Sequence, residues 1–497
     1  MPDLRTLFTS SFPSGLSSLR RTGVQAFHHV EDNLAGVNGP GVPADNEKGV
    51  IGWGTSWRMQ GYLLMAEHTG DPAYVLRLAE LVDGVLTARD DVRGVRDFRG
   101  RSLPVWSSAH KFTAASVLLR DAEARPALEV TVCPPHARAV RVTVEPEGER
   151  HFRLRVYGPD RPDHVVAGLS LDPLDERRAD RVLYGAYEQR TGVTARLVLP
   201  DEPLPGGRAP RPGTYAVRPA LVSLAAQTGM IAYPVAGLAR LARTRPDLVP
   251  RSVHARVEGY LDAVERAMRV HDEQWDTTAD GRGFYRWLPD EPVSFAGAEL
   301  PTNEFLALGR TAVQLAVVTG DAEWRERAAA MARSLRGDMT VTDGAAVWPY
   351  WPGFGRVYRG WEATGSVKAD GSDVRPSYRA VTVPEDVTHA LIDLDFLCLY
   401  HDAPGVPEVF TGADMRAMAA AFGRNTVERR DGRPRLRHDV GGRGRRGTDR
   451  EQAHVAAWMP LRRWSKDIPR QVRAIRPDTP PLPLMGVDTY CAALLTG

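Results

Sequence analysis

Four ionisable residues stand close together in a short, otherwise apolar stretch of the chain, residues 383–401. This stretch reads VPEDVTHALIDLDFLCLYH, and its composition predicts a helix that is apolar almost all the way round. At about 100° per residue, one arc of roughly a quarter-turn holds Glu385, Asp386, His389 and Asp393. Because buried charges are costly unless they are paired or functional, this cluster is the first candidate for acid–base chemistry.

The same cluster also has a purely structural explanation. Thr382 and Glu385 have the spacing of a capping box, and His389 and Asp393, four residues apart, could hydrogen-bond each other. Glu385 and His389 could also share a divalent cation at that spacing. No second His or Cys completes such a site, so we predict neither a metal nor a cofactor.

Composition restricts the class of protein. With 497 residues, 43% of them hydrophobic and 25% charged, the chain predicts a soluble globular protein larger than a single core. The net charge of +2 and the absence of a binding motif argue against a nucleic-acid partner. Neither a secretion signal nor a membrane-spanning segment is evident, so we expect a cytoplasmic protein. The sequence allows a homodimer.

Helical hairpins recur along the chain. Residues 52–68 and 73–89 have helical periodicity on either side of a turn in which Asp71 is a good N-cap and Pro72 suits the first helical position. The same design returns in residues 303–318 with 322–335, 384–401 with 415–425, 229–243 with 252–273, and 451–464 with 486–496. The first helix of each pair is apolar and the second is charged, which predicts an inner and an outer layer.

We therefore predict a mainly α fold, an (α/α)5–6 toroid of helical hairpins with an inserted antiparallel β domain. Residues 1–120 would form the first part of the toroid and residues 218–497 the remainder. Residues 128–200 contain six short β-rich runs and predict a sandwich-like insert, followed by a Pro/Gly-rich linker at 201–217.

In such a toroid the inner helices run parallel, so their N-termini share one rim around a central funnel. Several residues typical of sugar binding fall at or just before these N-termini, or in the loop ahead of residue 385: Trp53, Trp57, Tyr233, Asn303, Glu304, Trp348, Tyr350 and Trp351. Core packing would explain individual aromatics equally well. The arginine-rich residues 429–450, including Arg445, are either a solvated loop or a cover that binds an anionic substrate.

With these residues in view, the chain resembles the six-hairpin (α/α toroid) superfamily of carbohydrate-active enzymes. The resemblance rests on HTGDPAYVLRLAELVDGVLTARDD, TGMIAYP, LPTNEFLALGR, and WPYW followed by PEDVTHALIDLDFL. The last pair is similar to D-glucuronyl C5-epimerase-like and polysaccharide-lyase-like members. The resemblance as a whole covers most of the helical part and not the β insert. It implies the fold more specifically than the reaction.

Three functions remain open. The first is lyase or C5-epimerase chemistry on a uronate-containing oligosaccharide or small molecule, with His389 or Tyr350 transferring protons and Glu385 and Asp386 raising the pKa of His389. Asn303 and Arg445 would then hold the substrate carboxylate. The second is a glycoside hydrolase that pairs Glu304 with Glu385 or Asp386. The third is a toroidal terpene cyclase, which the aromatic rim favours although no DxDD motif is present.

Overall fold

The computed structural model describes residues 24–25, 27–28, 31, 41–133, 139–159, 161–185, 192–198, 209–362, 364, 367–372, 379–430 and 432–475. Its long helices come in pairs: α1 (Ser56–Thr69) and α2 (Pro72–Thr87), α3 (Ala225–Thr244) and α4 (Val257–Arg269), α5 (Thr302–Thr319) and α6 (Ala322–Asp338), and α7 (Ala390–Asp402) and α8 (Gly412–Ala421). A 3₁₀ helix, Ala453–Arg463, and α9 (Asp467–Ile475) follow. Short helical turns lie at Ile51–Thr55, Asp90–Arg93, His110–Phe112, Arg251–His254, Asp272–Gln274, Arg356–Arg359, Val367–Asp370, Phe422–Thr426 and Asp449–Gln452.

The predicted turns between paired helices are confirmed by their caps. Asp71 precedes α2 and accepts a hydrogen bond from the Ala73 amide at 2.9 Å, with Pro72 at the first helical position. Asp321 caps α6 in the same way, through the amide of Glu323 at 2.7 Å. Such caps satisfy backbone donors that a helix start leaves unpaired, which is why these short polar turns reverse the chain.

The helix predicted over residues 383–401 begins later than the sequence suggests. It starts at Ala390 and follows a turn at residues 387–389; before that turn, Pro384 and Asp386 form isolated β-bridges with neighbouring loops. The Glu385 amide donates to the Trp348 carbonyl at 2.9 Å, and the Val387 amide donates to the His438 carbonyl at 2.9 Å. The predicted capping box on Glu385 is therefore wrong, as is the placement of Glu385 and Asp386 on a helical arc.

The first helices of successive pairs pack side by side. Helix α1 contacts α3, α3 contacts α5, α5 contacts α7, and α7 contacts the 3₁₀ helix. Gly229 of α3 lies so close to the backbone of Ala307 and Leu308 in α5 that a Cβ atom would overlap it. This contact needs glycine because only a residue without a side chain permits such an approach of two backbones.

A fully buried arginine links these helices at their centre. Arg310 of α5 donates to Asp395 of α7 at 2.8 Å and to Gln60 of α1 at 3.3 Å. Its guanidinium also lies 4.4 Å from the ring centroid of Tyr233 in α3. Four of the predicted hairpins are thus described and joined, whereas residues 486–496, the second helix of the last predicted pair, lie outside the described residues. The closed toroid stays a prediction.

The β insert consists of two four-stranded antiparallel sheets with a hydrophobic core of their own. In the first sheet the strand order is β6-β2-β1-β8, and in the second it is β5-β4-β3-β7. The strands are β1 (Ala115–Arg120), β2 (Pro126–Val132), β3 (Arg141–Glu147), β4 (His151–Gly158), β5 (Arg161–Ser170), β6 (Val193–Leu197), β7 (Gly213–Ala216) and β8 (Arg218–Pro219).

The insert is longer than the predicted residues 128–200. The insert begins before residue 128, with strand β1. Strand β7 lies within residues 201–217, which were predicted to be a linker. Residues 201–208 of that range lie outside the described residues. The run RVLYGAYE, predicted as a strand, contributes instead to a short helix, Ala179–Gly185. Leu183 in this helix is fully buried in the core of the insert, so burial and not a sheet ladder accounts for its apolar residues.

Three small hairpins complete the described strands: β9 (Trp275–Thr277) with β10 (Gly283–Tyr285), β11 (Thr340–Thr342) with β12 (Ala345–Val347), and β13 (Val427–Arg430) with β14 (Arg433–Leu436). The second of them leads directly into the loop that carries Trp348 and Tyr350. Among the described helices, none combines the length and the apolar character that crossing a bilayer requires.

Candidate active site

A cavity of about 640 Å³ opens where the first helices of four pairs begin. Its lining includes Gly54 just before α1, Gln227 in the first turn of α3, Glu304 in the first turn of α5, and His389, the residue immediately before α7. For these four helices the predicted common edge is confirmed. Helix N-termini carry partial positive charge and favour negative groups nearby.

Six of the twenty residues that line the cavity are Trp, Tyr or Phe. Phe295 and Trp351 meet edge to face with centroids 4.9 Å apart, and Trp287 stacks on Phe295 at 6.2 Å. Trp53 and Phe112 line the same space from other segments. Flat apolar rings with a few polar groups between them are the surfaces that bind the C–H faces of sugars.

Glu304 is the carboxylate that faces the cavity among the described lining residues. It sits in the first turn of α5, whose preceding residue is Pro301. Burial raises the pKa of Glu304 to about 7, although nearby His389 opposes the shift. A group with a pKa near neutrality can both accept and return a proton, as general acid–base catalysis requires.

His389 lines the cavity, and its imidazole contacts the carboxylate of Asp386, which lies outside the cavity lining. Its Nδ1 lies 2.7 Å from Oδ2 of Asp386. Burial disfavours the charged imidazole, but the hydrogen bond and negative charge of Asp386, with Glu304 and Asp393 nearby, raise the pKa of His389 overall. Despite its own burial, Asp386 has a lowered pKa because His389 and Thr388 bond to it. Asp386 therefore acts as an ionised partner that favours the protonated form of His389.

Glu385 is fully buried and does not line the cavity. Its Oε2 accepts a hydrogen bond from Nδ2 of Asn303 at 3.1 Å, and its Oε1 accepts one from the Asp386 amide at 2.9 Å. Burial, reinforced by the negative charges of Asp393 and Asp386, raises its pKa. Glu385 thus positions the segment that carries Asp386 and His389.

Asp393 lies next to Glu385 and is also fully buried. Its Oδ2 accepts a hydrogen bond from Nε1 of Trp348 at 2.8 Å. Burial raises the pKa of Asp393 to about 7, and its carboxyl group interacts with that of Glu385. Two buried carboxyl groups in contact avoid ionising together, so this pair shares a proton at neutral pH.

Tyr350 closes the wall beside His389. The two rings meet edge to face with centroids 5.5 Å apart. Burial, together with the negative charges of Glu304, Glu385 and Asp386, raises the pKa of the Tyr350 phenol far above neutrality. The phenol therefore stays protonated at neutral pH and can donate a hydrogen bond.

Glu385, Asp386 and His389 also have ligand atoms within 4.8 Å of one another, so they are the residues that could hold a divalent cation. Each of their side chains already engages a protein partner: Asn303 bonds Glu385, and Asp386 and His389 bond each other. A cation would have to displace these bonds. The geometry therefore gives the divalent cation no specific support beyond the proximity of the three groups.

The predicted site residues divide into two groups. Those in the cavity wall are Trp53, Glu304, Tyr350, Trp351 and His389. Those outside it are Glu385, Asp386, Trp57, Tyr233, Asn303, Trp348 and Arg445. Trp57 and Tyr233 pack on the buried Arg310, deeper in the helix layer. Arg445 instead bonds Glu451, at 3.0 Å from its Oε1, on the exposed arginine-rich segment.

Several lining residues were not predicted from the sequence: Lys48, Lys111, Phe112, Gln227, Trp287 and Phe295. Trp287 and Phe295 belong to a loop without periodicity, whose aromatic content was a usable signal. The rarity of lysine was a second usable signal, because only four of the 64 lysines and arginines in the chain are lysines. The two lysines of the wall come from segments that the helical pattern does not mark.

No family model matches this sequence, and no curated protein matches it either. Among solved structures, the chain is similar to a family 76 glycoside hydrolase from a bovine Bacteroides thetaiotaomicron strain, with 10% sequence identity and a TM-score of 0.32. The similarity covers 73% of this chain and 77% of that chain. Likeness at this level assigns no activity.

Proposed function

We propose that this protein is a carbohydrate-active enzyme that binds a saccharide in the aromatic cavity and transfers a proton at Glu304. Three features of the wall support this proposal. Its aromatic rings suit sugar faces, its volume of about 640 Å³ accommodates a short saccharide, and its ionisable groups converge at the starts of α5 and α7. The terpene cyclase alternative shares only the aromatic wall.

The reaction that the geometry favours is lyase or C5-epimerase chemistry on a uronate sugar. The observation that carries it is the composition of the wall: one carboxylate with a pKa of about 7, Glu304, faces the cavity beside an imidazole whose pKa is raised, His389, and a neutral phenol, Tyr350. Removal of the C5 proton needs a base of this strength and a positive group that neutralises the substrate carboxylate.

In this mechanism the C5–H bond breaks and its proton moves to Glu304, while the electron pair is delocalised into the substrate carboxylate. The charged imidazole of His389 stabilises the negative charge that develops there. For elimination, the C4–O bond then breaks and Tyr350 or His389 protonates the departing oxygen. For epimerisation, one of the same two donors returns a proton to C5 from the opposite face.

Glycoside hydrolysis is the second candidate, and the pKa of Glu304 favours it as well. The raised pKa favours retention of the proton on Glu304 near neutral pH, as a general acid needs in order to protonate a glycosidic oxygen. Hydrolysis by paired carboxylates needs a second one facing the sugar. Among the described lining residues Glu304 is the one carboxylate, whereas Asp386 lies behind His389 and outside the wall.

The products distinguish these reactions. Purified protein would be incubated with uronate-containing and neutral oligosaccharides in deuterated water. A lyase gives a conjugated product that absorbs in the ultraviolet, an epimerase gives a deuterated isomer of unchanged length, and a hydrolase releases reducing ends without deuterium at carbon. A protein that turns over none of these saccharides but converts a prenyl substrate would contradict the proposal and favour the cyclase.

A further inference from the structure

Lysine is rare in this chain, and two of its four lysines lie in the cavity wall. Lys48 precedes the helical turn Ile51–Thr55, and Lys111 lies in the turn His110–Phe112 that leads into the β insert. Elsewhere nearly all of the positively charged side chains are arginines, with Lys368 and Lys466 the two other lysines. An ammonium group differs from a guanidinium as a compact point charge on a flexible stem, so it can follow an anion that moves along a cavity.

The two lysine segments are fastened to each other. The Ala109 amide donates to the Glu47 carbonyl at 2.8 Å, and Nδ2 of Asn46 donates to Oγ of Ser108 at 3.1 Å. Gly49, with φ of +71°, packs directly on the ring of Phe112. A side chain at Gly49 would overlap that ring and strain the backbone, so glycine permits this contact.

Gln227 ties the same two segments to the start of α3. Its Oε1 accepts hydrogen bonds from Asn46 at 2.7 Å and from Ser108 at 2.6 Å. The side chain of Gln227 itself lines the cavity. Hydrogen bonds therefore hold both lysine segments next to the N-terminus of α3.

Neither lysine is neutralised by an acidic side chain in the part of the chain that the structure describes. The ammonium of Lys111 lies 4.9 Å from the centroid of the Phe112 ring, and Glu47, the acid next to Lys48, faces Arg93 instead, at 3.9 Å. Many described arginines, by contrast, form ion pairs with acidic side chains. The described cavity lining thus contains two lysines without an acidic partner and one carboxylate, Glu304.

We infer that Lys48 and Lys111 form an anion-binding subsite that selects saccharides bearing a carboxylate or a sulfate group. This inference rests on the proposed function and assigns the choice of substrate to these two side chains. It also differs from the expectation placed on the arginine-rich segment, because Arg445 there is already paired with Glu451. Solvent-exposed ammonium groups bind anions with modest strength, so the subsite favours repeated charges along an oligosaccharide.

Binding is the direct test, since it does not depend on the reaction. The Glu304→Gln variant would be titrated calorimetrically with oligogalacturonate, with the same oligosaccharide after carboxyl reduction, and with a sulfated neutral oligosaccharide. Lys48→Gln and Lys111→Gln would be added singly and together. Lys466→Gln, an exposed lysine outside the cavity lining, is the matched control, and Lys48→Arg with Lys111→Arg retains the charge.

We expect the double glutamine variant to bind the anionic probe on the order of 10-fold more weakly, as two exposed charge contacts imply, and to lose most of the salt dependence of binding. The carboxyl-reduced probe and the Lys466→Gln control should show no such change. Preference for the sulfated probe over oligogalacturonate would keep the subsite and identify its anion as sulfate. If the double variant and the control bound the anionic probe equally well, the proposed subsite would be wrong and the proposed function would be unaffected. If the protein with both lysines bound no saccharide, the proposed function would fall and the subsite with it.

Discussion

Nδ1 of His389 lies 2.7 Å from Oδ2 of Asp386, and this contact fixes the direction of the imidazole. Because an ionised carboxylate only accepts hydrogen bonds, Nδ1 carries the proton and Nε2 is left for the cavity. The contact joins a residue of the wall to a residue behind it. It also makes the charge of His389 dependent on a group that the substrate does not need to touch.

Asp386→Asn should lower the pKa of His389, because it removes the negative charge that opposes the effect of burial. The shift can be followed by the histidine ring resonances in an NMR titration. Asp402→Asn alters the exposed His401–Asp402 pair and serves as the matched control. An unchanged pKa for His389 in Asp386→Asn would contradict the assigned role of Asp386.

The stability of this pair should depend on pH in a defined window. The raised pKa of His389 gives stability that is present below its ordinary value of 6.5 and is lost as pH rises through the folded-state value. The lowered pKa of Asp386 gives stability that is present above 3.8 and is lost as pH falls through its folded-state value. Denaturant unfolding should therefore show the largest difference between wild type and Asp386→Asn from about pH 4 to 6.5, and a difference that grows above this range would contradict the account.

Glu385 should tolerate loss of its charge but not of its side chain. In Glu385→Gln the amide oxygen can still accept from Asp386, and Asn303, whose Oδ1 has no partner among the described residues, can turn to accept from the new N–H. The melting temperature should stay within a few degrees of wild type. Glu385→Ala leaves buried donors unpaired and should cost about 1–3 kcal/mol in the free energy of unfolding. Equal destabilisation by both variants would mean that the charge itself is needed.

Glu291 should make the protein less stable as pH rises toward 8. This buried carboxyl accepts a hydrogen bond from Gln274 at 2.8 Å, yet burial raises its pKa to about 8. A carboxyl whose pKa is raised on folding binds more protons in the folded state, so its contribution to stability is full below 4.5 and is lost up to about pH 8. Between pH 7 and 8, Glu291→Gln should remove a slope of up to about 1.4 kcal/mol per pH unit from the free energy of unfolding. The exposed Glu326→Gln is the control, and an unaltered slope in Glu291→Gln would show that Glu291 is ionised throughout.

Gly229→Ala tests the close contact between α3 and α5. The added Cβ would overlap the backbone of Leu308, so the helices must separate, at a cost of about 3 kcal/mol in the free energy of unfolding. Gly259 in α4 is exposed, and a Cβ there would have no neighbour within 4 Å. Gly259→Ala should raise stability by about 0.5–1 kcal/mol through helix propensity. Thermal unfolding of the two variants should therefore shift in opposite directions, and a shift in the same direction would refute the packing.

The hairpins were predictable because their signals are local. Asp71 with Pro72, and Asp321, mark helix starts through contacts within a few residues, and the structure places caps at both. The start of α7 was not predictable in this way. Its extended lead-in depends on backbone bonds from Glu385 to Trp348 and from Val387 to His438, which no local pattern announces.

In the candidate site, too, features that depend on local sequence could be predicted and features that depend on long-range packing could not. Glu304, Tyr350 and His389 could be predicted because they lie at helix starts or in an aromatic loop. Their roles could not, since the pKa of Glu304 depends on burial that only the packed helices create. Lys48 and Lys111 lie at the cavity because hydrogen bonds join segments that are distant in the sequence. The rarity of lysine was therefore the one feature of the sequence that distinguished these two residues.

The most direct test of the central claim, that Glu304 exchanges a proton with the bound sugar, is turnover by Glu304→Gln. Ultraviolet absorbance of an elimination product, and incorporation of solvent deuterium into uronate oligosaccharides followed by mass spectrometry, would each compare this variant with wild type and with the exposed Glu326→Gln. Loss of a general base is expected to slow the reaction by about 10²- to 10⁴-fold while the melting temperature stays near that of wild type. Wild-type turnover by Glu304→Gln would contradict the account.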